Sequence, residues 1–113
     1  MDARPSALHG RCDCDAVTIT LERRPERINP CACDYCRRAG ARWGYVDGAE
    51  VRIEGATVPY RRAARAIEFR RCELCGVLTH WQWPGRPVDR SVGINMANME
   101  PDALAGIPVA AHP

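Results

Sequence analysis

The feature that most restricts this chain is its set of seven cysteines, which fall into three close groups. The groups are Cys12–Cys14, Cys31–Cys36 and Cys72–Cys75, with the patterns C-x-C, C-x-C-x-x-C and C-x-x-C. Two thiolates two or three positions apart on a tight turn can share one metal ion, and a following glycine such as Gly76 lets the backbone turn sharply. One such pair is weak evidence for a site. Three groups that use every cysteine predict metal binding.

Seven thiols divide naturally into four plus three. A structural zinc site is closed by four protein ligands, whereas a catalytic zinc typically has three and keeps a fourth position for water or substrate. Spacing alone does not say which groups combine across the fold. A purely structural role for every site stays open. An iron–sulfur cluster is disfavoured, because the spacings match no common ferredoxin pattern.

The thiols are expected to be reduced. An odd number of cysteines excludes complete internal pairing, and the first ten residues lack the apolar region of a signal peptide. No stretch approaches the roughly 18 consecutive apolar residues that a membrane span needs. We therefore predict a cytoplasmic protein with no membrane partner, in which cysteine clusters indicate metal or catalytic sites rather than disulfides.

The aliphatic core is thin for a folded chain. Leu, Ile, Val and Phe together number 20 of 113 residues, which is below the roughly 20% at which disorder is suspected. The 16 basic residues nearly balance the 14 acidic ones, however, and disorder usually needs a large net charge as well. The chain should therefore fold with the help of metal sites, and its low net charge makes nucleic acid a disfavoured partner.

Short segments with strand-like alternation recur between Gly and Pro signals, so we predict a mainly β fold. We expect a single domain over residues 1–113, with the motif-bearing core at about 8–104 and short flexible termini. Asp34 is expected to cap a helical turn at Tyr35–Ala39 that Gly40 ends, and a second turn starts at Pro101. The predicted strands are Ala16–Glu22, Trp43–Asp47, Val51–Glu54, Ala66–Arg71, Leu78–Trp83 and Ser91–Met96.

In order and spacing, these motifs resemble the glutathione-dependent formaldehyde-activating enzyme family, which includes the centromere protein V type domain. The resemblance runs from about Gly10 to Pro101 and implies a β-tent, a small domain of short antiparallel strands stapled by two zinc ions per chain. The family commonly has Gly after the first C-x-C, where this chain has Asp15. The matching segments are Gly10–Cys14, Cys31–Ala41, Cys72–Gly76, Cys75–Trp81 and Val92–Asn95.

The resemblance also implies which cysteine groups share a zinc site and which reaction the protein catalyses. It implies a closed structural zinc site at Cys12, Cys14, Cys72 and Cys75. It implies an open catalytic zinc site at Cys31, Cys33 and Cys36. The family activity is a zinc-dependent carbon–sulfur lyase reaction that condenses formaldehyde with glutathione to S-hydroxymethylglutathione. A small aldehyde and a thiol are therefore the expected partners, and the oligomeric state is not predicted.

Four residues outside the ligands are candidates for substrate binding. Arg37 or Arg38 can hold a substrate carboxylate, although solvated surface arginine is the competing interpretation. His80 can shuttle a proton or act as a further ligand, or it can be packed in the sheet opposite Trp81. Asn95 can donate to an oxyanion or cap a turn.

A different class of function is a non-catalytic zinc module that binds a protein or a nucleic acid. The basic stretches Tyr60–Arg65 and Arg70–Arg71 favour it weakly, because few aromatic residues accompany them. A redox or zinc-relay role for the three-cysteine group is a third interpretation. The unsaturated three-cysteine group favours the enzyme, since a scaffold does not need an open site.

Overall fold

The protein is mainly β and builds two antiparallel sheets. The computed structural model describes residues 7–61, 67–84 and 91–110. Within these ranges the α-helix is α1, Asp34–Ala39, and short 3-10 turns lie at Gly48–Glu50, Met96–Asn98 and Pro101–Leu104. The strands are β1 Leu8–Arg11, β2 Thr18–Leu21, β3 Trp43–Asp47, β4 Val51–Glu54, β5 Thr57–Tyr60, β6 Glu68–Cys72, β7 Leu78–Gln82 and β8 Ser91–Asn95.

The two sheets divide the strands unequally. One has three strands in the order β1-β2-β4, and the other has five in the order β3-β8-β7-β6-β5. Alternation along β2 buries Ile19 and Leu21 and exposes Thr18, and β8 buries Val92 and Ile94 in the same apolar cluster. The principal core therefore joins the inner faces of the two sheets.

The other face of the five-stranded sheet carries aromatic residues. Phe69 of β6 lies opposite Trp81 of β7, and Trp81 lies opposite Gly93 of β8. A Cβ built on Gly93 would lie 2.0 Å from the Trp81 Nε1 atom. Gly93 thus leaves the space that the indole of Trp81 occupies, which fixes the position of that ring over β8.

The predicted mainly β class is confirmed, and each of the six predicted strands has a counterpart: β3 and β4 have the predicted bounds, and the others have shifted ends. The two strands that the alternation pattern missed are β1 and β5. β5 contains Pro59, which the sequence pattern disfavours inside a strand, but β5 is at the edge of its sheet, where a missing N–H costs no ladder bond. Gly10 in β1 is required because a Cβ there would lie 2.7 Å from the sulfur of Met99. Ala66 of the predicted fourth strand lies outside the described residues.

The prediction that Asp34 caps the helix was wrong. Cys33 is the N-cap residue, and its sulfur accepts a hydrogen bond from the Cys36 N–H at 3.3 Å. A thiolate can take the capping place of a Ser or Asp oxygen, so the residue expected to bind metal also begins the helix. Gly40 ends α1 in the left-handed conformation, as predicted, with φ of 68°. The turn predicted at Pro101 is confirmed as Pro101–Leu104.

Two further predictions concern membrane spans and domain bounds. Among the described residues, no helix is long and apolar enough to cross a bilayer. The single domain over residues 1–113, with its core at about 8–104, stays a prediction.

Candidate metal centres and the aromatic cavity

The first candidate centre joins two turns that are distant in sequence. The sulfur atoms of Cys12, Cys14, Cys72 and Cys75 all lie within 4.8 Å of one another. A contact of 3.6 Å joins the two turns, from Cys14 Sγ to Cys72 Sγ, across 58 positions of sequence. The structure therefore brings together the four cysteines that the resemblance paired, at the ends of β1 and β6.

The two turns of this four-cysteine centre are built alike. The Cys12 N–H donates to the Val17 carbonyl at 3.0 Å, and the Cys72 N–H donates to the Val77 carbonyl at 3.0 Å. Each turn needs one residue with positive φ: Asp15 at 69° in the first and Gly76 at 79° in the second. Asp tolerates this conformation better than most residues, so Asp15 can take in the first turn the place that Gly76 takes in the second.

Backbone donors surround the sulfurs of the four-cysteine centre. Val17 N–H donates to Cys12 Sγ at 3.3 Å, and the N–H groups of Leu74 and Cys75 donate to Cys72 Sγ at 3.3 and 3.4 Å. Donation from the Val77 N–H is the largest cause that lowers the pKa of Cys75 to about 6. Such donors stabilise thiolates, the form in which cysteine binds metal.

The second candidate centre comes from one short stretch of chain. The sulfurs of Cys31, Cys33 and Cys36 lie within 4.8 Å of one another. Cys36 is buried in α1, and the indole Nε1–H of Trp43 donates to its sulfur at 3.3 Å. Burial raises the pKa of Cys36 to about 12. Burial also acts to raise the pKa of Cys33, but donors led by the Cys36 N–H outweigh it and lower that pKa to about 7.

The three-cysteine centre opens onto a cavity of about 250 Å³. Aromatic rings form most of its wall, and Tyr35 packs behind Phe69 with ring centroids 4.1 Å apart. Tyr45 accepts a hydrogen bond from the Asn29 side chain at 2.6 Å, which fixes its hydroxyl at the edge of the cavity. The lining residues other than the three cysteines are Trp43, Tyr45, Ile67, Phe69 and Trp81.

The structure places the other predicted site residues elsewhere. Arg37 and Arg38 are exposed on α1 and lie 3.8 and 3.7 Å from the Asp34 carboxylate. His80 is buried on the opposite side of β7 from Trp81, with its ring nitrogens 2.8 Å from Thr79 Oγ1 and 2.9 Å from Gln82 Oε1. Burial lowers the pKa of His80 to about 4.

Asn95 has a capping role in the structure. Its Oδ1 accepts hydrogen bonds from the Arg42 and Ala97 N–H groups, and its Nδ2 donates to the Leu78 carbonyl at 2.9 Å. Neither His80 nor Asn95 is among the described residues that line the three-cysteine cavity. His80 is packed in the sheet and Asn95 caps a turn, and a role of either in substrate binding stays a prediction.

Trp43, Tyr45 and Phe69 were not singled out as cavity residues from the sequence. The usable signal was alternation: Trp43 and Tyr45 are two apart on β3, and Phe69 is paired with Trp81. That signal becomes informative only when the order of the strands in the sheet is known. Trp81 also lines this cavity.

A family model described as glutathione-dependent formaldehyde-activating enzyme matches residues 7–110. The chain belongs to this family. A crystal structure of a Rhodobacter sphaeroides protein superposes with a TM-score of 0.71 at 28% sequence identity, covering 91% of this chain and 100% of that one. No curated protein matches the chain. The match spans both cysteine centres of this family member and the strands between them.

Proposed function

We propose that this protein is a zinc-dependent carbon–sulfur lyase-type enzyme of the cytoplasm that condenses a small aldehyde with a thiol. Formaldehyde and glutathione are the substrates that the family description suggests. The observation that carries the proposal is the contrast in ligand number: four sulfurs gather at one centre, whereas three gather at the other and face a cavity. A three-ligand centre beside a cavity has the arrangement of a catalytic metal site.

The residues present fit zinc at both centres. None of the seven cysteines forms a disulfide, and thiolate-rich sites of three or four sulfurs suit zinc. Cys12, Cys14, Cys72 and Cys75 would hold a structural ion, and Cys31, Cys33 and Cys36 would hold a catalytic one. When bound at the second centre, zinc supplies positive charge that favours the thiolate form of an incoming thiol.

The chain's own residues would position the reactants and exclude water. The Trp43 indole holds Cys36 by its hydrogen bond, and the rings of Phe69 and Trp81 wall the cavity. In the reaction the thiol loses its proton, its sulfur forms a bond to the aldehyde carbon, and the carbonyl oxygen gains a proton. Holding both reactants in one small cavity makes this step effectively unimolecular.

The aromatic walls have a second effect. An apolar, water-poor cavity strengthens the attraction between charges inside it, because the local dielectric constant is low. The thiol–aldehyde addition is easy without a catalyst, so modest effects of this kind would suffice. The cavity volume of about 250 Å³ leaves space for part of a thiol cosubstrate beside the aldehyde.

The test measures metal content and turnover together. Native mass spectrometry of protein purified without chelator should show two zinc ions per chain. NMR exchange spectroscopy should show faster interconversion of glutathione plus formaldehyde with S-hydroxymethylglutathione. Cys33→Ser should abolish that acceleration, and the control Arg52→Gln, a change on exposed β4, should keep it. One zinc per chain with three titratable free thiols, or turnover that Cys33→Ser does not reduce, would contradict the proposal.

For the alternative function as a nucleic-acid module, Arg61 and Arg70 of the two basic stretches both pair with Glu68. Arg70 donates to Glu68 and Thr57 within the five-stranded sheet rather than standing on a basic surface. Residues 62–65 of the other basic stretch lie outside the described residues. The nucleic-acid interpretation therefore remains the weaker candidate.

A further inference from the structure

A second cavity adjoins the three-cysteine cavity, and Tyr45 lines both. It has a volume of about 520 Å³ and is formed by residues 23–27, by residues 45–47 of β3, and by Glu50 and Ser91. Its lining contains three arginines and three acidic residues, in contrast to the aromatic wall of the first cavity. The two cavities together form an apolar compartment and a charged compartment on either side of one tyrosine.

The three arginines of the charged compartment differ in their partners. Arg23 forms an ion pair with Glu50, and Arg24 donates to the Ala105 carbonyl. The Nε atom of Arg27 is buried and has no hydrogen-bond partner among the described residues. A buried guanidinium donor without an acceptor is unfavourable, because it has lost its contact with water. Arg27 is thus the arginine of this compartment with an unmet demand for an acceptor.

A short segment of chain connects Arg27 to the three-cysteine centre. Ile28 bridges to Val109 and Asn29 bridges to Trp43, so the chain is extended at these two residues. Asn29 donates to the Tyr45 hydroxyl, and Tyr45 lines both cavities. Because a chain spans at most about 3.6 Å per residue, the Cα atoms of Arg27 and Cys31 are at most about 14 Å apart.

We propose that Arg27 binds a carboxylate of the thiol cosubstrate whose sulfur lies at the three-cysteine centre. This inference rests on the proposed function. A tripeptide-sized thiol is about 10 Å long when extended, and the arginine side chain closes the remaining distance. A guanidinium presents its N–H groups in a planar fork that matches a carboxylate. The three acidic residues in the lining disfavour a polyanion such as a phosphate.

The proposal makes Arg27 a residue that determines which thiols are used. A thiol with a carboxylate about 10 Å from its sulfur reaches both compartments. A small neutral thiol such as 2-mercaptoethanol reaches only the aromatic one. Preference for the larger thiol would then arise from binding and would appear in KM rather than in kcat.

The test uses S-methylglutathione, which has both carboxylates but no thiol, and isothermal titration calorimetry on the zinc-loaded protein. Arg27→Gln should weaken binding by about 10- to 100-fold, the range expected for a charge-assisted hydrogen-bonded pair. Arg27→Lys keeps the charge without the fork and should fall between. Arg52→Gln should change binding less than about twofold. The diethyl ester of S-methylglutathione should bind all forms weakly and equally. Circular dichroism and two zinc ions per chain would verify that each variant is folded.

Three results would overturn the inference: equal binding by Arg27→Gln and the wild type, equal binding of ester and acid by the wild type, or displacement by acetate at matched concentration. Because the probe has no thiol, its binding is independent of carbon–sulfur chemistry. Binding that depends on Arg27 without turnover would refute the proposed function alone. Turnover with binding independent of Arg27 would refute this inference alone.

Discussion

The two cysteine centres differ in where their ligands come from and in what surrounds them. Cys12 and Cys72 of the four-cysteine centre are fully buried and pack with Val17, and the two turns of the centre are 58 positions apart in the sequence. Cys31 and Cys33 of the other centre are half-buried and belong to one six-residue stretch that opens onto a cavity. The four-cysteine centre links distant parts of the fold, whereas the three-cysteine centre is positioned by the fold around it.

The difference follows from loop closure. Bringing two distant turns together costs chain entropy, which metal binding at the four-cysteine centre would offset in the folded state alone. The three-cysteine stretch closes a short loop at the start of α1, where the Cys33 cap and the Trp43 indole already hold the geometry. Loss of metal should therefore affect stability mainly at the first centre and activity mainly at the second.

The largest expected effect compares Cys72→Ser with Cys33→Ser. Cys72→Ser removes a buried sulfur that accepts two backbone N–H bonds and is proposed to bind zinc, so it should lower the free energy of unfolding by about 5 kcal/mol or more. That is comparable with the whole stability of a small domain, so the variant should be largely unfolded. Cys33→Ser should cost less than about 2 kcal/mol and leave one zinc per chain.

Urea unfolding monitored by circular dichroism, with zinc counted by mass spectrometry, measures both effects. Equal destabilisation by the two substitutions would break the distinction between a stabilising centre and a functional one. The opposite order would assign the structural role to the three-cysteine stretch.

The sequence identified all seven cysteines of the two clusters, because cysteine patterns are local and chemically unambiguous. It left open which groups combine, since that depends on β1 and β6 being brought together across the fold. It predicted β3, β4 and β8 from alternation, whereas β5 was hidden by Pro59, which only an edge strand tolerates. The cavity was missed because Phe69 and Trp81 become neighbours through strand pairing, and the orphan Nε of Arg27 can be seen only when the packing is known.

The next largest effect concerns acid, which would release metal from both centres and also acts on His80. The pKa of His80 is lowered to about 4 by burial, and Arg70 opposite it adds to the lowering while Gln82 and Glu68 oppose it. Between pH 6.5 and about 4 the unfolded chain therefore binds a proton that the folded chain does not. Stability should fall across this window by on the order of 3 kcal/mol from this group, with no further loss below it.

His80→Gln removes this titration and sharpens the comparison of the two centres. The stability lost from pH 7 to pH 4.5 in urea unfolding should be smaller in the variant by about 2 kcal/mol. The pH dependence of stability that remains in His80→Gln comes from the thiolates and the carboxylates. An identical pH dependence in the two proteins would show that His80 is not buried as a neutral group.

A smaller effect should be confined to the three-cysteine centre. Trp43→Phe removes the N–H donor to Cys36 and leaves a space where part of the fully buried indole was. We therefore expect the free energy of unfolding to fall by about 2 kcal/mol. Zinc affinity of that centre should fall about 10-fold, because a partner that orients a ligand is lost. Competition with a chromophoric chelator should show one weakened ion and one unchanged ion. Trp83→Phe, whose indole donates to the Ser91 carbonyl, is the matched control and should leave both affinities unchanged.

The smallest effects compare the two turns within the four-cysteine centre. Gly76→Ala should cost about 1 kcal/mol, because φ of 79° disfavours a Cβ while nothing within 4 Å blocks it sterically. Asp15→Gly relieves the same conformation, but it loses the exposed Arg11 ion pair at 2.9 Å and makes the unfolded chain more flexible. These terms oppose one another, so the free energy of unfolding, measured in urea, should change by less than about 0.5 kcal/mol. If Asp15→Gly raised the free energy of unfolding by more than about 1 kcal/mol, Asp15 would hold backbone strain that its ion pair does not offset. The two turns would then share a backbone conformation but differ in strain.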